Sequence, residues 1–454
     1  LRFNPVTADG MVWILVGVNK TLTVNVPIYS PCGLSLRESS GTLVLNALND
    51  IGGNIAISNA CTLSVAIVGN RGSATSNLGR GDRVIFNGNG SRLLYTGSGE
   101  TSDRILELNN SAVLDQSGTG TLTFTEDLSV GGTVKTLTLQ GSSAGTGELR
   151  GAIGAGTATT SLAKGGAGTW RLAGANTCAG SVAVNGGTLV VSGAAVSLAA
   201  AASYAVSTNS ALTLENAEAE NLTDRLSDSA AITLNGGTLN FTHSGGAADY
   251  SESAGALRAL SGKNRVTSSQ AREGRTSSLT FASLEHGAGL IDFVGAGLGE
   301  SDRNRVFITG QAEGVIGPWA TVNGTQLAAY SSSLGVYPAA EAGFHDIAAR
   351  GPDSVIPDNA AAFVRINLPG EAGPITLAGE WTNTVAALLQ NAATGAVVAA
   401  RSGATNKTLR AGGLRIAADK AALTLGENEG DGFLMSANDG EDLLLSNEST
   451  SSVL

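Results

Sequence analysis

The residues able to do chemistry are few and scattered. Of the three histidines, His243, His286 and His345, only His345 has a carboxylate beside it, Asp346. Neighbours on a strand point to opposite faces, so this pair is not set up as a general-base dyad. No GxSxG, Walker A or HExxH motif occurs. The stretch GAGLGE at 295–300 nearly spells a dinucleotide loop, but no βαβ unit surrounds it and it reads as a turn. Cys32, Cys61 and Cys178 form no CxxC pair, and with three histidines they leave almost nothing from which to build a zinc site. A Cys32–Cys61 bridge and unpaired, buried small residues are both open readings.

Four Asp-Arg dipeptides recur, at Asp82-Arg83, Asp103-Arg104, Asp224-Arg225 and Asp302-Arg303. Polysaccharide-degrading enzymes place Asp and Arg together in a groove, so the theme is a candidate for catalysis. A catalytic centre would occur once, however, and these pairs precede strands at equivalent places, which points to corner hydrogen bonds and local ion pairs. After Lys420 the chain has no Lys or Arg but seven acids, Glu427, Glu429, Asp431, Asp439, Glu441, Asp442 and Glu448. GENEGDG at 426–432 offers oxygen ligands among glycines, as calcium prefers, yet it lacks a complete calcium-loop pattern and reads first as a solvated acidic face. Trp170, Trp319 and Trp381, with Tyr330 and Tyr337, could stack on sugars. Trp170 alternates into a strand and belongs to the core. Trp319, in the irregular GPWATVNG block, is the candidate ligand contact. No catalytic, cofactor-binding or metal-binding residue is assigned.

What positions these residues is an unusual chain. Of 454 residues 62 are Gly, 14% are charged and 4% are aromatic, against about 7% Gly and about 25% charged in an ordinary domain. Such a chain lacks the aromatics for a conventional large enzyme core. Its net charge of −11 argues against nucleic acid and anionic lipid as partners. The longest apolar run, MVWILVGV at 11–18, is too short to span a bilayer and its flanks do not read as a signal peptide.

A short strand-like unit recurs through the sequence: TLTV at 21–24, TLVL at 42–45, TLSV at 62–65, RVIF at 83–86 and RILEL at 104–108. Leu22, Leu43, Leu63, Val84 and Ile105 follow one another at intervals of 21, 20, 21 and 21 residues. TLTF at 121–124, TLTL at 136–139, TWRL at 169–172, TLVV at 188–191 and TLNF at 238–241 continue the series less evenly. Each unit alternates apolar with polar residues, as a strand with one buried face does, and Gly-Asn clusters such as NGG at 185–187 mark the corners. A hairpin sandwich would show turns every 8–12 residues. A sustained phase near 21 predicts instead a parallel β-solenoid of roughly 20 coils, a rod on the order of 100 Å long.

Residues 164–193, KGGAGTWRLAGANTCAGSVAVNGGTLVVSG, resemble the repeat of the autotransporter-associated β-strand family. The matching positions are Lys164, Gly166, Gly168, Thr169, Trp170, Leu172, Gly174, Asn176, Thr177, Gly180, Val184, Gly187, Thr188 and Leu189; Cys178 stands where the family commonly has an aromatic. The segments 93–124, 137–154 and 314–336 look like blocks of long family members, so the similarity covers about two thirds of the chain. The resemblance implies a secreted or surface-displayed right-handed β-helical passenger without catalysis, together with a membrane barrel or other sorting signal that this sequence does not contain.

The expectation is therefore an all-β, right-handed parallel β-solenoid. Repeats occupy 1–310, an irregular loop-rich segment 311–374, and further coils with an acidic end 375–454; another irregular stretch is expected at 242–276. The expected function is a non-catalytic extracellular scaffold at a bacterial surface, for coating, adhesion or fibre assembly. The alternative is a polysaccharide-degrading or carbohydrate-binding solenoid. Neither Leu1 nor Leu454 adjoins an evident polar cap, which predicts that the solenoid continues in a longer protein or stacks on other copies. The other expected partner is a surface glycan or host-cell component, with no nucleic acid, no cofactor and no membrane insertion in this segment.

Overall fold

The computed structural model describes all residues except 4–9, 39, 133, 155–158, 217–220, 244–247, 340–342, 352, 440–442 and 451–454. The described residues contain strands and turns and no helix, and their parallel strands stack into a β-solenoid of about 16 turns. The chain divides into two compact units, one built mainly of Leu1–Gly289 and the other mainly of Gln311–Leu454 with Leu290–Ser301.

In the first unit each coil returns strands to the same columns. The first column runs through strands at 11–15, 33–37, 55–57, 83–86, 105–108 and 129–130. The second runs from 21–24 through 42–45, 62–65, 91–95, 112–116, 135–141, 160–164, 181–184, 203–207, 232–235 and 257–261 to 284–286. The third begins at 100–102 and includes 121–124, 146–149, 169–172, 187–192, 210–215, 238–243 and 263–270. Pairing within these columns is parallel, so like residues stack at about 4.8 Å. The second column carries a buried line of Leu43, Leu63, Leu93, Leu114 and Leu139. The third carries Leu172, Val191, Leu214 and Phe241 in the same way. The outward neighbours are short and mostly uncharged: Thr146, Thr169 and Thr188 in one line, Ala163, Ala183 and Ala205 in another. Alternation of side chains across the pleat makes both lines from one sequence pattern.

The coils are less even than the sequence spacing implies. Leu22, Leu43, Leu63, Leu93, Leu114 and Leu139 are true neighbours, at separations of 21, 20, 30, 21 and 25 residues. Val84 does not follow Leu63. It stacks on Ile55 and Leu106 in the first column, while Ile105 pairs with Arg83 and faces outward. The insertion at 66–82 shifted the phase from one column to another while leaving the 21-residue interval intact. Longer coils also explain why the turns number fewer than the 20 expected. The stretch 242–276, expected to be irregular, is largely strand, at 250–254, 257–261 and 263–270.

In the second unit the chain leaves the parallel pattern at a small hairpin, 401–402 with 405–406, and more extensively at 314–338. Strand 320–322 pairs in parallel with 290–294, then turns back antiparallel onto 326–331, which pairs with 335–338 and 314–315. A new parallel stack follows through 345–348, 359–368, 382–390, 408–411 and 433–436, with 413–416 and 444–447 beside it. Its core holds Ile366, Leu388, Leu414 and Ile416 among others. The hairpin closes over one face of this stack, where Arg415 donates to the Gly324 carbonyl at 3.2 Å and Gly413 leaves room for Pro318. No helix among the described residues is long and apolar enough to cross a membrane.

Candidate functional site

The block at 164–189 supplies the residues that the sequence singles out, and the coils bring them together as packing. Lys164 occupies the buried leucine line, between Leu139 and Val184. Its stem fills a leucine's place and its ammonium turns to the corner, donating to the carbonyls of Gly165, Gly166 and Gly186 at 2.6, 3.0 and 2.8 Å. Burial lowers its pKa to about 8. Gly166 has φ +65 and a Cβ there would come within 2.6 Å of the Gly141 carbonyl, so glycine is required twice over. Gly168, Gly174, Gly180 and Gly187 likewise sit against atoms of the preceding coil that leave no room for a side chain.

The rest of the block is used in the same way. Thr169 stacks between Thr146 and Thr188 on the outer face, and Leu172 and Leu189 face inward, fully buried. Trp170 is buried and its Nε1 donates to the Gln140 carbonyl at 2.8 Å. Asn176 is a buried corner clamp: its Oδ1 accepts from the Ile153 amide at 2.9 Å, and its Nδ2 donates to Gly174 and Ser197 carbonyls. The Thr177 amide donates to Ile153 O at 3.0 Å. Cys178 is buried beneath the same corner. Its thiol is pushed up to about 11 by burial. It, Cys61 and the half-buried Cys32 are all free thiols, so no Cys32–Cys61 bridge forms.

The best constellation for nucleophilic chemistry is one the sequence did not assemble. His243 Nε2 lies 2.9 Å from Ser277 Oγ, and Nδ1 lies 3.3 Å from Asn216 Nδ2. Arg225 Nε donates to Asn216 Oδ1 at 2.6 Å. Because guanidinium only donates, the Asn216 oxygen must face Arg225 and its NH2 must face His243. Nδ1 is then the acceptor, and the ring proton sits on Nε2, pointed at Ser277. That tautomer cannot take a proton from the serine, so the nucleophile is not activated. The ring is buried, stacked on Tyr250 at 4.4 Å and edge-on to Phe241 at 4.3 Å. Burial, with the Arg225 charge, pulls its pKa to about 3. Bonded partners in this set lie 9, 27 and 34 positions apart in sequence, and only the variable coil lengths bring all four to one level.

The Asp-Arg pairs do not converge. Arg83 pairs with Glu107 at 3.0 Å. Arg104 is fully buried and holds the 66–82 insertion, donating to Val68 and Gly69 carbonyls at 3.0 and 3.1 Å and also to Gly79 and Gly81. Burial lowers its pKa to about 10. Arg225 reaches Gly193 O at 3.2 Å, and Arg303 reaches Gln270 and Ala271 carbonyls at 3.0 and 3.2 Å. Three of the four arginines thus tie their own coil to carbonyls of an earlier corner. His345 and Asp346 do not act together either: Asp346 is held by Arg365 in a two-point contact of 2.6 and 2.7 Å. His286 is exposed at a column end.

The acidic end is not merely solvated. Asp439 pairs with Arg410 at 2.8 Å and Glu448 with the buried Arg415 at 2.6 Å. Asp431 accepts from the Asn428 amide at 2.9 Å and pairs with Arg401 at 3.4 Å. Glu427 and Glu429 are exposed, and Glu441 and Asp442 lie outside the described residues. No cluster of three or more His, Cys, Asp or Glu suited to a metal occurs among the described residues. Trp319, expected to be the exposed aromatic, is half-buried, because its indole folds over Gly317, which has no side chain to hold it off. Trp381 is the more exposed tryptophan at 61%.

Compared with known proteins, residues 162–191 match the family model of the passenger-associated-transport repeat. The chain is similar to the Adhesin BmaC autotransporter of Brucella suis biovar 1 (strain 1330), at 34% identity over 159 residues, which is 33% of this chain and 4% of the relative. The chain thus spans a small part of that curated relative. No solved structure matches it.

Proposed function

We propose, for a chain that carries an autotransporter-passenger repeat at residues 162–191, that it is a non-catalytic part of a passenger displayed outside a bacterial cell, where it serves adhesion. One observation carries this reading: the residues of the repeat are spent on stacking coils. Lys164, Trp170 and Asn176 all satisfy carbonyls of their own or neighbouring coils, and the outward lines beside them are short and mostly uncharged, Thr in one and Ala in another. A relative named as an adhesin supports the same reading.

Such a surface suits a scaffold that spaces contacts, and the buried His243 with its unsuitable tautomer argues against hydrolysis at the nearest serine. The partners that fit are further solenoid, a second copy of the chain, or a cell-surface component; fibre assembly is one form the second would take. The test is display and attachment. Antibody against residues 1–289 should label intact bacteria producing the parent protein, and deletion of these coils should reduce attachment to cells. Labelling only after lysis would overturn the reading.

A further inference from the structure

Residues 79–82 read Gly-Arg-Gly-Asp, where the 66–82 insertion returns to the strand 83–86. Arg80 and Asp82 are exposed, and Gly81 between them is buried. A Cβ on Gly81 would overlap the Gly53 carbonyl, so the coil itself demands glycine there. The backbone is held on both sides. The Arg80 amide donates to Ile51 O at 2.7 Å, the Arg80 carbonyl accepts from Gly72 at 2.9 Å, the Gly81 carbonyl accepts from Arg104, and the Asp82 amide donates to Asn54 Oδ1 at 3.0 Å. A cation and an anion are therefore shown on a backbone that has already lost its freedom, which lowers the entropic cost of binding.

Nearby acids are ion-paired, whereas Asp82 acts on the buried Arg104 guanidinium only through its charge. Asp50 is paired to Arg80 at 2.6 Å, Asp103 to Arg71 at 3.4 Å and Glu107 to Arg83 at 3.0 Å. No ion pair or side-chain hydrogen bond engages the Asp82 carboxylate among the described residues. An exposed carboxylate of this kind can complete the oxygen shell of a divalent cation held by another protein. The Arg80–Asp50 pair is exposed on both sides, so its guanidinium exchanges readily for a receptor carboxylate.

We propose that Arg80, Gly81 and Asp82 form a docking tripeptide for a metal-dependent animal-cell receptor protein, one that presents a divalent cation to Asp82 and an acidic pocket to Arg80. This rests on the adhesive reading and names its partner. Plates coated with the full chain are offered to cultured fibroblasts in magnesium and manganese. Cells attach, and Asp82→Glu, which keeps the charge but moves it outward, lowers attachment about ten-fold, as expected for a central contact. Chelation with EDTA and a soluble Gly-Arg-Gly-Asp-Ser peptide each produce the same loss, and a Gly-Arg-Gly-Glu-Ser peptide does not. Equal attachment to Asp82→Glu, with unchanged melting temperature, overturns the docking site and leaves the adhesive reading standing. Absence of attachment to the unaltered chain overturns both.

Discussion

Trp170 lies directly over Gly147 of the preceding coil, its six-membered ring in the space that a Cβ on Gly147 would enter. The largest side chain of the column is thus matched to a residue with none. Above and below them the same line holds Leu122 and Leu189, so the column alternates in volume while the wall stays flat. Gly147→Ala forces the ring aside in a close-packed interior and should cost about 1–3 kcal/mol. Trp170→Ala opens a void and removes the donor to Gln140 O, costing about 3–5 kcal/mol. Urea midpoints of the two variants check the order; a neutral Gly147→Ala would refute the fit.

Lys164 tests whether the corner cage needs a cation. Lys164→Met keeps the length and apolar stem but strips the donor from three glycine carbonyls, a loss of about 1–3 kcal/mol. Burial holds the folded-state pKa near 8, below the unfolded 10.5. A lowered lysine makes the fold bind fewer protons than the unfolded chain, so its contribution improves as pH rises from 8 to 10.5. The Met variant should lack that rise. Equal slopes of stability against pH between 8 and 10.5 in both proteins would contradict this.

Two buried groups nine residues apart, on consecutive strands, set opposite limits at lower pH. His243, near 3 in the fold against 6.5 unfolded, favours the folded state fully above pH 6.5 and withdraws that support as pH falls toward 3. Glu252 is raised by burial to about 8 from 4.5, against the pull of the Leu226 and Arg225 amides and the Arg225 charge. Its support is full below pH 4.5 and is lost as pH climbs to 8. Melting temperature should therefore be highest between about pH 4.5 and 6.5. His243→Gln should flatten the acid limb and Glu252→Gln the alkaline one. If neither substitution alters its limb, the buried pair does not control the profile.

The thiols offer a direct check on burial. Cys61 and Cys178 are buried, and burial raises both pKa values, so neither presents thiolate to a reagent. In native buffer a chromogenic disulfide should titrate Cys32 alone, and after denaturation all three. Rapid native reaction of two or more thiols would show that the Cys178 corner opens.

The sequence by itself determined the parallel stack, because strand units of alternating apolar and polar residues recur at a sustained phase near 21, where a hairpin sandwich would turn every 8–12 residues. It also determined the block from Lys164 to Leu189, whose glycines are dictated by contacts between adjacent coils and therefore leave a local pattern. Tertiary structure alone decided which strands are neighbours. The 66–82 insertion moved Val84 to another column while preserving the 21-residue interval, and no local signal distinguishes the two outcomes. It decided too that Trp319 folds onto Gly317, and that His243, Asn216, Arg225 and Ser277 meet. Those residues come from different coils of unequal length, and their meeting depends on a sum of loop lengths that no short pattern encodes. Asp82 shows both limits: its neighbours Arg80 and Gly81 are legible as a string, but the pairing of Asp50, Asp103 and Glu107 with arginines, while Asp82 stays exposed, exists only once the coils are stacked.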